Sequence, residues 1–274
     1  MIEDVVVPID PLDESRTKSE TRMFGLKGCP INADHEPDVR KLEVPLGRAT
    51  VSVSDGGFVM RVFNSTIGKV KEGQMEGAVG VAGEAAKLVG RHGGAVRFFL
   101  AGAGEEVNST LFSIEYDSPE TMGQAFDALA DDAELQAFVT RLNGPQSPSV
   151  ITSQSMGMEV PIGRTPKSGT GRILEAHTSR VNPGRMEEAI SQSADVCEFV
   201  EANGAVNARL LQLTYAGLGS GLTILAWELE NMQAHARLGS AWFAKAGLAL
   251  QAKSMTANPA SVPVASGLWN EIPL

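Results

Sequence analysis

The chain repeats itself at long range, and that repeat limits its architecture more than any other feature. Gly73-Gln74-Met75-Glu76-Gly77-Ala78 returns as Gly184-Arg185-Met186-Glu187-Glu188-Ala189, 111 residues later. The same spacing, without a gap, lays Arg61 on Arg172, Val70 on Val181, Val89 on Val200, Gly93 on Gly204 and Leu100 on Leu211, and it then brings Tyr116 onto Trp227. One residue further out of phase, Glu159-Val160-Pro161-Ile162 matches Glu271-Ile272-Pro273-Leu274, and an earlier version, Glu43-Val44-Pro45-Leu46, opens the series. A period of this length predicts two copies of one folded unit. The copies are expected at residues 43–162 and 163–274, after an N-terminal arm, residues 1–42, that matches neither.

Each copy reads strand, helix, strand, strand, helix, strand, the split βαβ order of ferredoxin-like domains. First strands are expected at Val59–Ile67 and Ile173–Val181, and helices open near Gly73 and Gly184. Met75, Ala78, Val79, Ala82, Ala85, Ala86 and Val89 form one apolar stripe, which Met186, Ala189, Ile190, Ser193, Val196, Cys197 and Val200 repeat. Cys197 therefore faces a core. Gly93-Gly94 and Asn203-Gly204 suit the left-handed residues that end helices. Hairpins pair Ala95–Ala101 with Thr110–Tyr116 and Val206–Tyr215 with Leu222–Glu228. Ser118-Pro119-Glu120 is a cap followed by an N1 proline, and Asp131-Asp132 interrupts the helix it opens. The last strands, Val150–Val160 and Val262–Ile272, run into the Glu-Val/Ile-Pro motif, whose proline requires a strand end or edge.

Charge narrows the partners. Among 274 residues, 33 Asp and Glu outnumber 23 Lys and Arg, a formal charge of −10 that disfavours nucleic acid and anionic membrane surfaces. The start Met1-Ile2-Glu3-Asp4 is acidic where a secretory leader is basic, and no apolar run reaches the ~18 residues of a membrane span, so a cytoplasmic protein is expected. Cys29 and Cys197 are far apart and in no CxxC, and His35 and His92 have no metal-ligand spacing. The expectation is reduced thiols, no metal and no cofactor.

The order of elements, and the segment Glu115-Tyr116-Asp117-Ser118-Pro119-Glu120 passing from a strand into the second helix, resembles the dimeric α+β barrel superfamily. That superfamily includes antibiotic-biosynthesis monooxygenases, haem-degrading monooxygenases, EthD-like proteins and NIPSNAP proteins. The resemblance spans residues 43–274. It implies two ferredoxin-like sheets closing face to face, here within one chain, with a ligand cavity between sheet and helices or at the barrel end. Any homodimer would then use helices, sheet edges or the arm.

Strand alternation supplies the candidate site. Phe63, Ser65, Ile67, Leu174, Ala176 and Thr178 form the more apolar face and are expected against the helices, which leaves Asn64, Thr66, Glu175 and His177 facing the barrel. Glu175 and His177 replace neutral Asn64 and Thr66, and a carboxylate and an imidazole two apart on one strand suit general acid–base work. They are the expected catalytic pair, with Asn64, Thr66, Arg209 and Trp227 binding substrate. His235 stands where Gln124 does at a spacing of 111, and reads as a solvated helix face. The leading expectation is a small-molecule-binding barrel acting as a cofactor-independent monooxygenase, isomerase or cyclase on a small, partly aromatic metabolite. A non-catalytic ligand-binding or assembly protein is the alternative. The resemblance adds a minor one, a haem-binding or haem-degrading protein with a helix histidine.

Overall fold

Among the described residues, two runs of four strands and three α-helices follow one another. The computed structural model describes residues 60–104 and 108–274, within the compact unit Ser52–Leu274. The expected N-terminal arm, the first Glu-Val-Pro motif, Cys29 and His35 lie outside the described residues. The first run is β1 (Val62–Val70), α1 (Met75–Gly90), β2 (Ala95–Ala103), β3 (Ser109–Tyr116), α2 (Pro119–Ala130), α3 (Ala133–Leu142) and β4 (Ser149–Val160). The second is β5 (Ile173–Val181), α4 (Met186–Ala202), β6 (Val206–Tyr215), β7 (Thr223–Leu229), α5 (Met232–Trp242), α6 (Lys245–Ser254) and β8 (Ser261–Glu271). None of the described helices is long and apolar enough to cross a membrane.

The punctuation works as its chemistry requires. Ser118 Oγ accepts the Thr121 amide at 3.1 Å and Pro119 follows at N1. Asp132 ends α2 and caps α3, accepting from the amides of Glu134 and Leu135 at 2.9 and 3.1 Å. Gly93 and Gly204, beyond α1 and α4, hold φ of +84° and +100°, a region costly for residues with a Cβ.

All pairings are antiparallel, and the strands close in the order β1-β3-β2-β8-β5-β7-β6-β4. Each run therefore forms a ferredoxin-like sheet, β4-β1-β3-β2 or β8-β5-β7-β6. The seams β2–β8 and β6–β4 join the two sheets into an α+β barrel closed within one polypeptide. Closure satisfies the edge strands that each sheet alone would leave unpaired.

The gapless spacing fails in the second hairpin. Seven residues, 216–222, separate β6 from β7, two more than the five that separate β2 from β3. Val62 pairs with Tyr116 whereas Ile173 pairs with Leu229, and Asn64 pairs with Ile114 whereas Glu175 pairs with Trp227. Trp227 thus corresponds to Ile114, not to Tyr116. Helix caps carry the same offset, since α5 starts after Asn231 and α2 after Ser118. His235, four beyond its cap, corresponds to Met122 and not to Gln124.

The two strand faces are the reverse of the expected ones. Phe63, Ser65, Ile67, Leu174, Ala176 and Thr178 line the barrel lumen, so Asn64, Thr66, Glu175 and His177 lie on the outer, helix-bearing surface. Both faces of a barrel strand are covered, so greater apolarity does not mark the helix side. An eight-stranded barrel has an interior just wide enough for side chains to fill, and small Ser65 and Ala176 suit its middle. The outer face takes bulky neighbours: Ile173, Trp227 and Leu229 form one core with Cys197, Val200, Ala234 and Leu238 from α4 and α5. Cys197 is fully buried there, and burial pushes its thiol up to about 12. A separate core, Phe63, Leu211, Leu213, Leu222 and Ala226, lies inside the barrel.

Ion pairs join the two sheets. Arg97 of β2 meets Glu271 of β8 at 2.8 and 2.9 Å and Glu228 of β7 at 2.7 Å. Arg209 of β6 makes a bidentate pair with Glu115 of β3. Arg97 pairs in register with Ser113 and Arg209 with Ala226, so the two arginines occupy matching places in the two sheets. Burial alone would raise the Glu115 carboxyl, but the Arg209 guanidinium more than offsets it and holds the group below the usual carboxylate range. Glu159, the counterpart of Glu271, is pushed up by its burial despite the charges of Arg209 and Arg61.

Candidate active site

A cluster on the outer face of the second sheet combines titratable groups from two strands and a helix. Strand β5 presents Glu175 and His177, β7 places Trp227 opposite Glu175, and β8 places Ser266 opposite His177. Helix α5 completes the cluster. Asn231 Oδ1 caps it by accepting the Ala234 amide at 3.0 Å, which fixes the first turn that carries His235.

Glu175 is the hub. Its Oε1 accepts from His177 Nε2 at 3.0 Å, and its Oε2 accepts from Trp227 Nε1 and His235 Nδ1, each at 3.1 Å. A carboxylate can only accept, so the ring nitrogens facing it carry the protons. His177 then receives the Ser266 hydroxyl on Nδ1 at 2.9 Å, and its ring stacks on Trp227 with centroids 4.8 Å apart. Both nitrogens of His177 are occupied. His235 differs: its Nε2 has no hydrogen bond to any described residue, and a third of its side chain, 33%, is exposed. Glu175 itself is only 15% exposed. Burial would raise its carboxyl, but hydrogen bonds and charge from His177 and His235 prevail and hold it below the usual range.

This arrangement has the elements of a general base: an anchored imidazole, a carboxylate that sets its tautomer, and one ring nitrogen left for a ligand proton. The structure brings together Glu175, His177 and Trp227 of the expected site residues, and not the others. Asn64 and Thr66 lie on β1, separated from β5 by β3, β2 and β8. Arg209 belongs to the lumen, bound to Glu115, because its position on β6 alternates to the inner face. His235 and Ser266 were not among the expected catalytic residues. The position of His235 four residues beyond an Asn cap was legible, but its alignment with Glu175 depends on the longer β6–β7 turn. No group of three or more His, Cys, Asp or Glu among the described residues is arranged to hold a metal ion.

The strand order decides the architecture. Its fold is the dimeric α+β barrel. A solved structure is similar to it: a candidate monooxygenase from Lactobacillus acidophilus aligns with a TM-score of 0.50 and 9% identity over 78% of this chain and 93% of its own. An anthrone oxidase-like protein aligns at 0.49 and 16% identity, over 78% of this chain and 91% of its own. A mutant chlorite dismutase from Candidatus Nitrospira defluvii aligns at 0.46 and 13% identity, over 78% and 92%. No family model and no curated protein matches the sequence. At 9% identity the likeness to the candidate monooxygenase is one of fold alone, and function has to be argued from the site.

Proposed function

We propose that this α+β barrel binds a small, partly aromatic metabolite against the outer face of β5, β7 and β8 beside α5, with His235 acting on it as a general base. The observation that carries the reading is the Glu175 hub, which fixes His235 through Nδ1 and leaves Nε2 unbonded and partly exposed. His235 Nε2 would take a proton from an acidic C–H or O–H of the ligand. The imidazolium that forms is stabilised by the Glu175 carboxylate, and the exposed ring of His177, backed by buried Trp227, offers an aromatic surface for the ligand ring. The deprotonated ligand then reacts with dioxygen, is reprotonated elsewhere, or closes a ring, the steps of a cofactor-independent monooxygenase, isomerase or cyclase. The identical element order and matched caps of residues 43–162 and 163–274 support reading them as two copies of one ferredoxin-like unit, of which the second kept the chemistry.

The same nitrogen supports a second reading. A histidine whose Nδ1 donates to a carboxylate is held in an orientation that suits an iron ligand, and His235 would be the residue that holds a haem. Haem would then supply the redox chemistry.

The test is to incubate the purified protein with a metabolite extract, recover bound molecules by native mass spectrometry, and assay their consumption. His235→Ala is expected to lower turnover by about a hundredfold or more, while thermal unfolding changes little. A Soret band that appears on haem addition and is lost in His235→Ala selects the second reading. If His235→Ala and Glu175→Gln alter neither binding nor turnover, the site is not catalytic and a binding or assembly role replaces it.

A further inference from the structure

The barrel lumen holds a cavity of about 150 Å³ on the other side of the sheet from the His235 cluster, with Ser266 of β8 bordering both. Its middle is built from two matching rows of small residues. In the first sheet Ser65 lies directly between Ser113 and Ser155, and in the second Ala176 lies directly between Ala226 and Gly267. All six line the cavity. One wall therefore presents three hydroxyls, while the facing wall presents methyls and bare backbone. Phe63, Phe99, Leu111, Leu211 and Ile224 add apolar surface to the lining.

Two further observations show that the middle of the lumen is not simply filled by protein. None of the hydroxyls of Ser65, Ser113 and Ser155 makes a hydrogen bond to a described residue. The Trp269 indole lies over Gly267, where an added Cβ would come within 2.6 Å of Nε1, and that N–H also has no partner among the described residues. Unpaired polar groups beside an apolar cavity are costly unless a guest or water meets them. The arginines, by contrast, are satisfied: Arg97 by Glu228 and Glu271, Arg209 by Glu115. A charged guest would have to break one of these pairs.

We propose that the lumen is a second binding site, for a small neutral alcohol or phenol of single-ring size, with its oxygen toward the Ser155–Ser65–Ser113 row and its ring against Gly267, Ala176 and Ala226. The volume suits such a guest, since an apolar cavity of roughly 150 Å³ accommodates benzene. Arg97, Ser113, Glu115 and Glu228 also border a cavity of about 360 Å³ lined by residues 165–170, which marks the end of the lumen where a guest would be admitted.

Calorimetric titration of the full chain with phenol, benzene and benzoate tests the site. Phenol should bind, benzene should bind up to about tenfold more weakly, and benzoate should not bind. Ala176→Leu, which fills the gap, should abolish phenol binding. Ala226→Val serves the same purpose if the leucine variant does not fold. Ser65→Ala should weaken phenol binding toward that of benzene while leaving benzene itself unchanged, and His235→Ala should leave phenol binding unchanged. The proposal is overturned if phenol does not bind, if binding is insensitive to both filling variants, or if it depends on His235. A crystal soaked in phenol that shows only ordered water on the three serines also overturns it.

Discussion

The two sheets of the barrel are built from the same sequence of elements and carry opposite chemistry on their two faces. The first has Asn64 and Thr66 outside and the Ser155–Ser65–Ser113 row inside; the second has Glu175 and His177 outside and Gly267–Ala176–Ala226 inside. Titratable groups are concentrated where helix α5 supplies His235 and β7 supplies an indole. Hydroxyls are concentrated where the opposite wall leaves space. One backbone plan can thus specialise face by face, because a strand assigns alternate residues to independent environments.

The largest expected losses are at the ion pairs that join the two sheets. Arg97→Ala should cost about 3–5 kcal/mol, because it leaves Glu228, only 2% exposed, without its countercharge and takes the partner of Glu271 as well. Arg209→Ala should cost less, because the Glu115 side chain it leaves behind is 24% exposed. Urea unfolding of the two variants measures the difference, and equal losses would mean that the two ion pairs are energetically alike.

A smaller effect separates the outer faces. Trp227→Phe keeps most of the apolar contact but deletes one of the three hydrogen bonds to Glu175. It should destabilise the fold by about 0.5–1.5 kcal/mol and reduce any His235-dependent turnover. Met122→Ala, at the corresponding cap position in the first half, should leave turnover unchanged. A loss of turnover in Met122→Ala would show that the first half shares the site.

The acid limb of stability gives the smallest signal and the sharpest assignment. The Glu175 carboxyl lies below its ordinary range in the folded state, so its contribution is present above the unfolded value of about 4.3 and is lost as pH falls through the folded one. Wild type should therefore be more stable than Glu175→Gln at neutral pH, with the gap closing below roughly pH 4. A gap that persists unchanged into acid would assign the stabilisation to shape and not to charge.

Much of the plan was legible in the chain. The helix stripes, the Ser118-Pro119 cap and the Asp131-Asp132 break all depend on neighbours a few residues away, and each has its expected form. The Glu-Val/Ile-Pro endings were visible as a motif, yet their service as seam carboxylates, seen when Glu271 meets Arg97, was not. Glu175 and His177 were found as the place where the halves diverge in charge, but the side of the sheet they face was not.

What the sequence by itself determined is local and periodic: the order of strands and helices, their caps, and which residues share a strand face. Only the tertiary structure decided which face is the lumen, because in a closed barrel with helices outside both faces are buried and an alternating pattern does not label them. It also decided the register, since two additional residues in the β6–β7 turn shift Trp227 and His235 onto Glu175. Side chains 52 and 60 residues apart meet on one carboxylate there, and no spacing along the chain encodes that meeting.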